Sequence, residues 1–275
     1  MKRKNYVLTG GSHMKIALTQ MNQAWEAPDA NRELCRILVQ QAADQQADWI
    51  IFPEMTLTGF TMRPEVFSEP SDDDSETNTF FRVLSRQYAI GIGYGTIVRE
   101  HSYYNQLRLV QQGTTLLRYN KIHPFSYGEE ARHYCGGTQI PTAIDPVSGA
   151  VVSGFICYDL RFPEIFQIAS RSATVIFVIA SWPESRISHW HLLLQARAIE
   201  NQCYMIGVNR TGTGGGIRYT ASSVVYDPYG RRITPASDAA LIPVALDPEL
   251  ALQYRQTFPL KADRRPELYT ILSKK

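Results

Sequence analysis

The sequence predicts an α/β fold of layered sheets and helices in a single domain. Three observations carry that expectation. Short apolar runs of strand length alternate with longer amphipathic segments along most of the chain. No low-complexity linker or internal repeat interrupts this rhythm. The 275 residues, 44% of them hydrophobic, supply core enough for one undivided α/β unit.

Residues 15–21 alternate polar and apolar side chains and read as the first strand. Within residues 31–46, Leu34, Ile37, Leu38, Gln41 and Ala42 recur at helical spacing, so an amphipathic helix follows. Residues 49–52 form a short apolar strand that ends at Pro53 and Glu54. Residues 77–88 read as a helix, 90–98 as a glycine-spaced strand, and 104–111 with 114–120 as a hairpin turning at Gln112 and Gly113. Buried strands at 151–156 and 174–180 flank a helix at 163–170. A strong helix at 190–201 leads to strands at 204–208 and 222–226, a turn from Asp227 to Gly230, and sheet residues 240–246. The polar stretch 68–79 is a surface loop that starts a helix. The GTGGG run at 212–216 reads as a flexible loop; it leads into a strand-like segment and lacks the GKS/T of a phosphate cradle.

The formal charge of +2 arises from 28 basic and 26 acidic residues, well interspersed. That pattern gives no reason to expect nucleic acid or a membrane surface as partner. Cys35, Cys135, Cys157 and Cys203 are scattered, with no CxxC and no histidine cluster beside them. This argues against a zinc site or a disulfide framework and for reduced thiols in a cytoplasmic protein. No apolar run approaches the roughly 20 residues of a transmembrane helix. Residues 1–13 lack a signal peptide's apolar stretch, and GSHM at 11–14 resembles a cloning scar. They are read as a tag or vector-derived segment ahead of a native start at Met14.

Four side chains stand out chemically. Cys157 follows the apolar strand VVSGFI and precedes a helix-forming segment, a place where a thiol is presented at a sheet rim beside free backbone N–H groups. Glu54 ends the strand WIIF-P, where partial desolvation raises a carboxylate toward a useful base. Lys121 follows TLLRYN and suits stabilisation of a developing negative charge. Glu130 lies in GEEARHYCGG. Taken singly, each has an ordinary reading as a buried thiol, a loop acid, a surface lysine or a helix-start acid. Together they form a nucleophile, a base and a positive group converging on one rim, enough for amide cleavage without a metal or cofactor. His123, His133, His189 and His191 offer no cysteine–histidine signature, which sets papain-like chemistry behind.

FPEM around Glu54, YNKIHPF around Lys121 and GFICYDLRFPE around Cys157 resemble the three motif regions of the nitrilase superfamily. The resemblance continues through SWPESRISHWHLLLQARAIENQCYMIGVNRTG and YTASSVVYDPYG, covering nearly all of residues 14–246. It implies an α-β-β-α sandwich, a carbon-nitrogen hydrolase domain over residues 14–275, and a homodimer or higher homo-oligomer formed through outer helices. It further implies Glu54 as general base, Lys121 as oxyanion-stabilising lysine and Cys157 as the acylated nucleophile. The pattern Glu-x-x-x-Tyr-x-x-Gly selects Glu130, with Tyr134 and Gly137, as the second glutamate; Glu129 is one residue out of register. The backbone N–H of Tyr158 would complete the oxyanion hole.

CYDLRFPE resembles the amidase branches, whereas nitrilases proper usually carry Cys-Trp-Glu at this point. SWPESR, HW, ARAIENQ and GVNR resemble omega-amidases, which act on 2-oxo acids bearing a terminal amide, such as 2-oxoglutaramate. Deaminated glutathione amidases are the rival branch and usually lack SWP. Ala221 stands where these relatives tend to have glycine, which bears on pocket shape and hence substrate preference. An acidic substrate needs a carboxylate partner, and Arg186 is placed to provide it; Arg161 is the other candidate, though its position suits a structural ion pair. Phe60, Tyr127 and Trp182 are expected to wall the pocket. Two other functions stay open: a catalytically silent scaffold, whose mark would be loss of the thiol, base or lysine, and a thiol-dependent acyltransferase, which would need an acceptor pocket.

Overall fold

A computed structural model describes residues 13–272. The tag assigned to residues 1–13 therefore falls, except for His13, outside the described residues. Strand β1 (Met14–Thr19) is buried almost throughout. Helix α1 (Pro28–Asp44) begins three residues before the expected 31, because Pro28 occupies its first turn, where a missing N–H costs nothing. Then come β2 (Trp49–Ile51), α2 (Pro64–Phe67), the two-residue β3 (Glu69–Pro70), α3 (Glu76–Tyr88) and β4 (Gly91–Arg99). The hairpin of β5 (Tyr103–Gln111) and β6 (Thr114–Asn120) turns at Gln112 and Gly113. Both have positive φ, as a two-residue turn matched to strand twist requires. The chain continues through α4 (Glu130–His133), β7 (Ala143–Ile144), β8 (Val151–Ile156), α5 (Pro163–Ala169), β9 (Val175–Ala180), α6 (Ile187–Asn201) and β10 (Tyr204–Asn209).

The GTGGG run differs from expectation. Gly215 and Gly216, both at positive φ, make a turn between β11 (Gly212–Gly214) and β12 (Ile217–Tyr219), so a hairpin replaces the flexible loop. After β13 (Val224–Tyr226) and β14 (Leu241–Leu246), the sequence continues into two helices that periodicity did not suggest, α7 (Glu249–Thr257) and α8 (Pro266–Leu272).

Among the described residues the longer strands form two sheets. The first runs β14-β1-β2-β4-β5-β6, with β3 alongside β4; the second runs β13-β10-β9-β8-β7. Each has a parallel centre with antiparallel strands at its flanks. The sheets pack face to face. Trp49 meets Phe177 with ring centroids 6.0 Å apart, and Tyr119 meets Phe155 at 5.3 Å. At Gly154 the approach is tight: a Cβ there would stand 2.3 Å from Leu107 Cδ2. On the outer face of the first sheet, Cys35, Leu38, Val39 and Ala42 of α1 and Phe81 and Leu84 of α3 bury against Ile50, Phe52, Ile92 and Tyr94. Phe166 of α5 and Trp190, Leu194 and Ala198 of α6 cover the second sheet. The result is the expected α-β-β-α sandwich.

Candidate active site

Strand ends of both sheets deliver the site. After β2, Pro53 stops ladder pairing and Met55 takes φ 45°, turning Glu54 inward. Gln23 Nε2 donates to the carbonyls of Glu54, Met55 and Thr56, holding this turn from one side. Gly95 of β4 backs it from the other, for a Cβ there would lie 2.4 Å from Met55 N. Lys121 follows β6, with its N–H on Asn105 O and its carbonyl accepting from Gly137 N–H.

Glu54, Lys121 and Glu130 are almost completely buried. Lys121 Nζ donates to Glu54 Oε1 at 3.1 Å and to Glu130 Oε1 and Oε2 at 2.9 and 2.7 Å. Asn105 Nδ2 ties the two acids together, donating to Glu54 Oε1 at 2.7 Å and Glu130 Oε1 at 3.0 Å. Glu130 Oε2 also accepts from Phe125 N–H, and Glu54 Oε2 from Ser181 N–H at 2.8 Å. Glu129, by contrast, is paired on the surface with Arg132.

Cys157 opens a short 3₁₀ turn (Cys157–Arg161) straight after β8 and sits at φ 49°. A β-carbon-bearing residue held in that region costs of order 1 kcal/mol or more and needs external support. Buried Asp159 supplies it. Its Oδ2 accepts from Ile156 N–H and Tyr119 O–H, and its Oδ1 from the backbone N–H and Nδ1–H of His123. The Cys157 Sγ lies 4.0 Å from Ser181 O.

Burial pushes the Cys157 thiol well above its ordinary pKa, and the nearby Glu54 carboxylate pushes it further, so the resting sulfur is protonated. Glu54 is itself raised, chiefly by burial, with Lys121 opposing and Glu130 assisting. For Lys121 burial acts against the charge, but Glu130 and Glu54 outweigh it and raise its pKa. A thiol, a base of raised pKa and a permanent cation thus share one buried cluster.

Above the sulfur is a cavity of about 450 Å³, counting the space open at its mouth, lined by Phe60, Phe125, Tyr158, Arg161, Trp182 and Arg186 among others. Phe60 and Trp182 stand in the wall as anticipated; Tyr127 does not. The residue is 91% exposed and outside the lining, and Phe125 holds the wall instead. Among the described residues no ion pair forms at Arg161, contrary to the expectation; its guanidinium lies over the Trp182 ring at 4.9 Å. Arg186 lies over Phe125 at 5.7 Å, likewise without a carboxylate. Tyr219, delivered by the β11–β12 hairpin, also lines the cavity, while Ala221 two residues on does not. Sequence reasoning missed Asn105 and Ser181. A cluster of Asn105, Gln106 and Arg108 inside an otherwise apolar strand was the available signal for the first.

Residues 15–256 match the carbon-nitrogen hydrolase family. The chain is 34% identical to omega-amidase YafV of Yersinia enterocolitica over 90% of its length and 95% of that protein. It is 28% identical to the 2-oxoglutaramate amidase of Bacillus subtilis (strain 168), over 92% of this chain and 98% of the relative. Among solved structures, the CN-hydrolase superfamily protein XC1258 of Xanthomonas campestris superposes with a TM-score of 0.84 at 27% identity. That match covers 92% of this chain and 98% of the other.

Proposed function

The chain belongs to the carbon-nitrogen hydrolase family, and from that premise we propose that it hydrolyses the terminal amide of a small acidic substrate, a 2-oxo acid such as 2-oxoglutaramate. The observation that carries the substrate class is the pair of cavity arginines, Arg161 and Arg186, lying over aromatic rings with no carboxylate of the described residues paired to them. Half-buried guanidinium groups held in this way match a carboxylate in a bidentate fork. The apolar faces of Phe60, Phe125 and Trp182 suit a short carbon chain between that carboxylate and the amide.

In the proposed reaction Glu54 takes the Cys157 proton and the sulfur attacks the carboxamide carbon. Charge develops on the carbonyl oxygen, where Lys121 and the Tyr158 N–H receive it. Two of the three lysine contacts fall on the two oxygens of one acid, Glu130, so a single Nζ–H shared between them would leave another to turn to the substrate oxygen. Protonated Glu54 returns its proton to nitrogen as the C–N bond breaks and ammonia leaves. Glu54 then deprotonates a water that attacks the thioester; the C–S bond breaks and the sulfur recovers the proton. Glu130 and Asn105 hold Lys121 and Glu54 in place throughout.

We also place the enzyme in the cytoplasm as a homodimer. In support, all four cysteines are unpaired, and α5 and α6 expose Ile168, Leu192 and Ile199 on the outer layer. No described helix is long and apolar enough to cross a membrane.

Ammonia release from 2-oxoglutaramate, with glutamine and a simple nitrile alongside, tests the reading. The expected result is rapid release from the oxo-amide alone, at least about 10³-fold lower in Cys157→Ala. Arg161→Ala and Arg186→Ala should raise KM for the oxo-amide about 10-fold or more each, at the scale of a lost charged hydrogen bond. Cys157-dependent turnover of a different amide, untouched by the arginine variants, would discard the substrate.

A further inference from the structure

Ser181 is the first residue after β9 and lines the cavity, yet among the described residues its side chain has no partner. The residue is 4% exposed, and its Oγ is fully buried without a hydrogen bond. An orphaned hydroxyl in such a place costs roughly 1–3 kcal/mol of desolvation unless something arrives to bind it. Its main chain shows which part of a ligand that would be. The Ser181 N–H donates to Glu54 Oε2 at 2.8 Å, and the Ser181 carbonyl lies 4.0 Å from Cys157 Sγ. The residue therefore stands between base and nucleophile, at the reacting end of the cavity and not at the arginines.

We infer that the Ser181 hydroxyl is a substrate-binding group: it accepts a hydrogen bond from the N–H of the scissile carboxamide and turns that nitrogen toward Glu54, which must protonate it. The inference rests on the amidase reading. It predicts selectivity for amide over ester, since an ester presents no N–H to the same oxygen, while both substrates pass through the same acyl-enzyme.

The test compares Ser181→Ala with the wild type on succinamate and monomethyl succinate, which share one acyl group. The ratio of amide to ester kcat/KM should fall about 10-fold or more, and Ser181→Thr, which keeps the hydroxyl, should recover part of it. Equal losses on both substrates would assign Ser181 a merely structural role, and no loss on either would remove it from substrate binding; either overturns the inference. Propionamide and methyl propionate, which lack the carboxylate, are run in parallel. A wild type that rejects succinamate but cleaves propionamide overturns the acidic-substrate reading and leaves the Ser181 ratio to be read on the neutral pair. A wild type inert toward both amides but active on 2-oxoglutaramate moves the same comparison to that amide and its terminal methyl ester; inert toward all three amides, it overturns the Ser181 inference together with the amidase reading.

Discussion

Replacing Glu130 by glutamine probes how one buried ammonium is shared between two acids. Lys121 touches both, and Asn105 bridges them from the far side. Glu54 is raised first by burial, lowered by Lys121 and raised again by the Glu130 charge. In Glu130→Gln that last influence disappears and more of the lysine's field falls on Glu54, so both changes lower its pKa. The rising limb of the pH profile of kcat/KM, where Glu54 loses its proton, should move to lower pH. The weaker base should also reduce kcat about 10-fold to 100-fold. A limb that stays put or moves upward would show that Glu130 does not tune the base. The same few residues show what a sequence discloses at this scale. Glu54, Lys121 and Cys157 are legible because each is a polar residue closing an apolar run, whereas Ser181 looks like any serine after a strand. Its proposed role rests on a missing hydrogen bond, visible only in three dimensions. Phe125 and Tyr127, two residues apart in one loop, are equally good wall residues until the fold turns one in and the other out.

Strands and turns aim these side chains, and glycine marks where two turns nearly touch. The β2 turn that carries Glu54 rests on Gly95 of β4, where an added Cβ would lie 2.4 Å from Met55 N and 3.0 Å from Glu54 C and Cα. All three are backbone atoms, so no side-chain rotation relieves the clash, and the turn itself must shift. Gly95→Ala should therefore displace the base and lower kcat/KM by about 100-fold, the scale expected for an ångström of misplacement. Thermal unfolding and steady-state kinetics together check this; retained kcat in a folded variant would mean that the Glu54 turn is more compliant than its packing shows. Most elements were readable because period-2 and period-3.6 patterns are local. The β11–β12 hairpin was not, since three of its residues are successive glycines that carry no pattern; the pairing of Gly212 with Tyr219 defines it. Helices α7 and α8 escaped for a related reason: α7 buries little beyond Ala251 and α8 buries nothing, so neither needs a continuous apolar stripe.

On the scale of the whole molecule, the site is a seam. Glu54, Asn105 and Lys121 belong to the first sheet, Cys157 and Ser181 to the second, and the distance from the proposed base to the proposed nucleophile is set by how the sheets pack. Strand order within each sheet is a long-range matter. β14 pairs with β1 from the opposite end of the chain, while β13, close to β14 in sequence, joins the other sheet. Local patterns contain none of this; the sandwich was anticipated only through the motifs' resemblance to a known family. The dependence on packing can be measured. Leu107 of β5 packs tightly against Gly154 of β8, across the two sheets. Leu107→Ala should cost about 2–5 kcal/mol, lowering Tm by roughly 2–4 °C for each kcal/mol in a chain of this size. Leu84→Ala, in the α3 layer outside the first sheet, removes the same atoms at a comparable depth. If the seam controls catalysis, kcat per folded molecule at a temperature well below both transitions should fall in Leu107→Ala and hold in Leu84→Ala. An equal fall in both would show that activity follows overall stability and not the spacing of the two sheets.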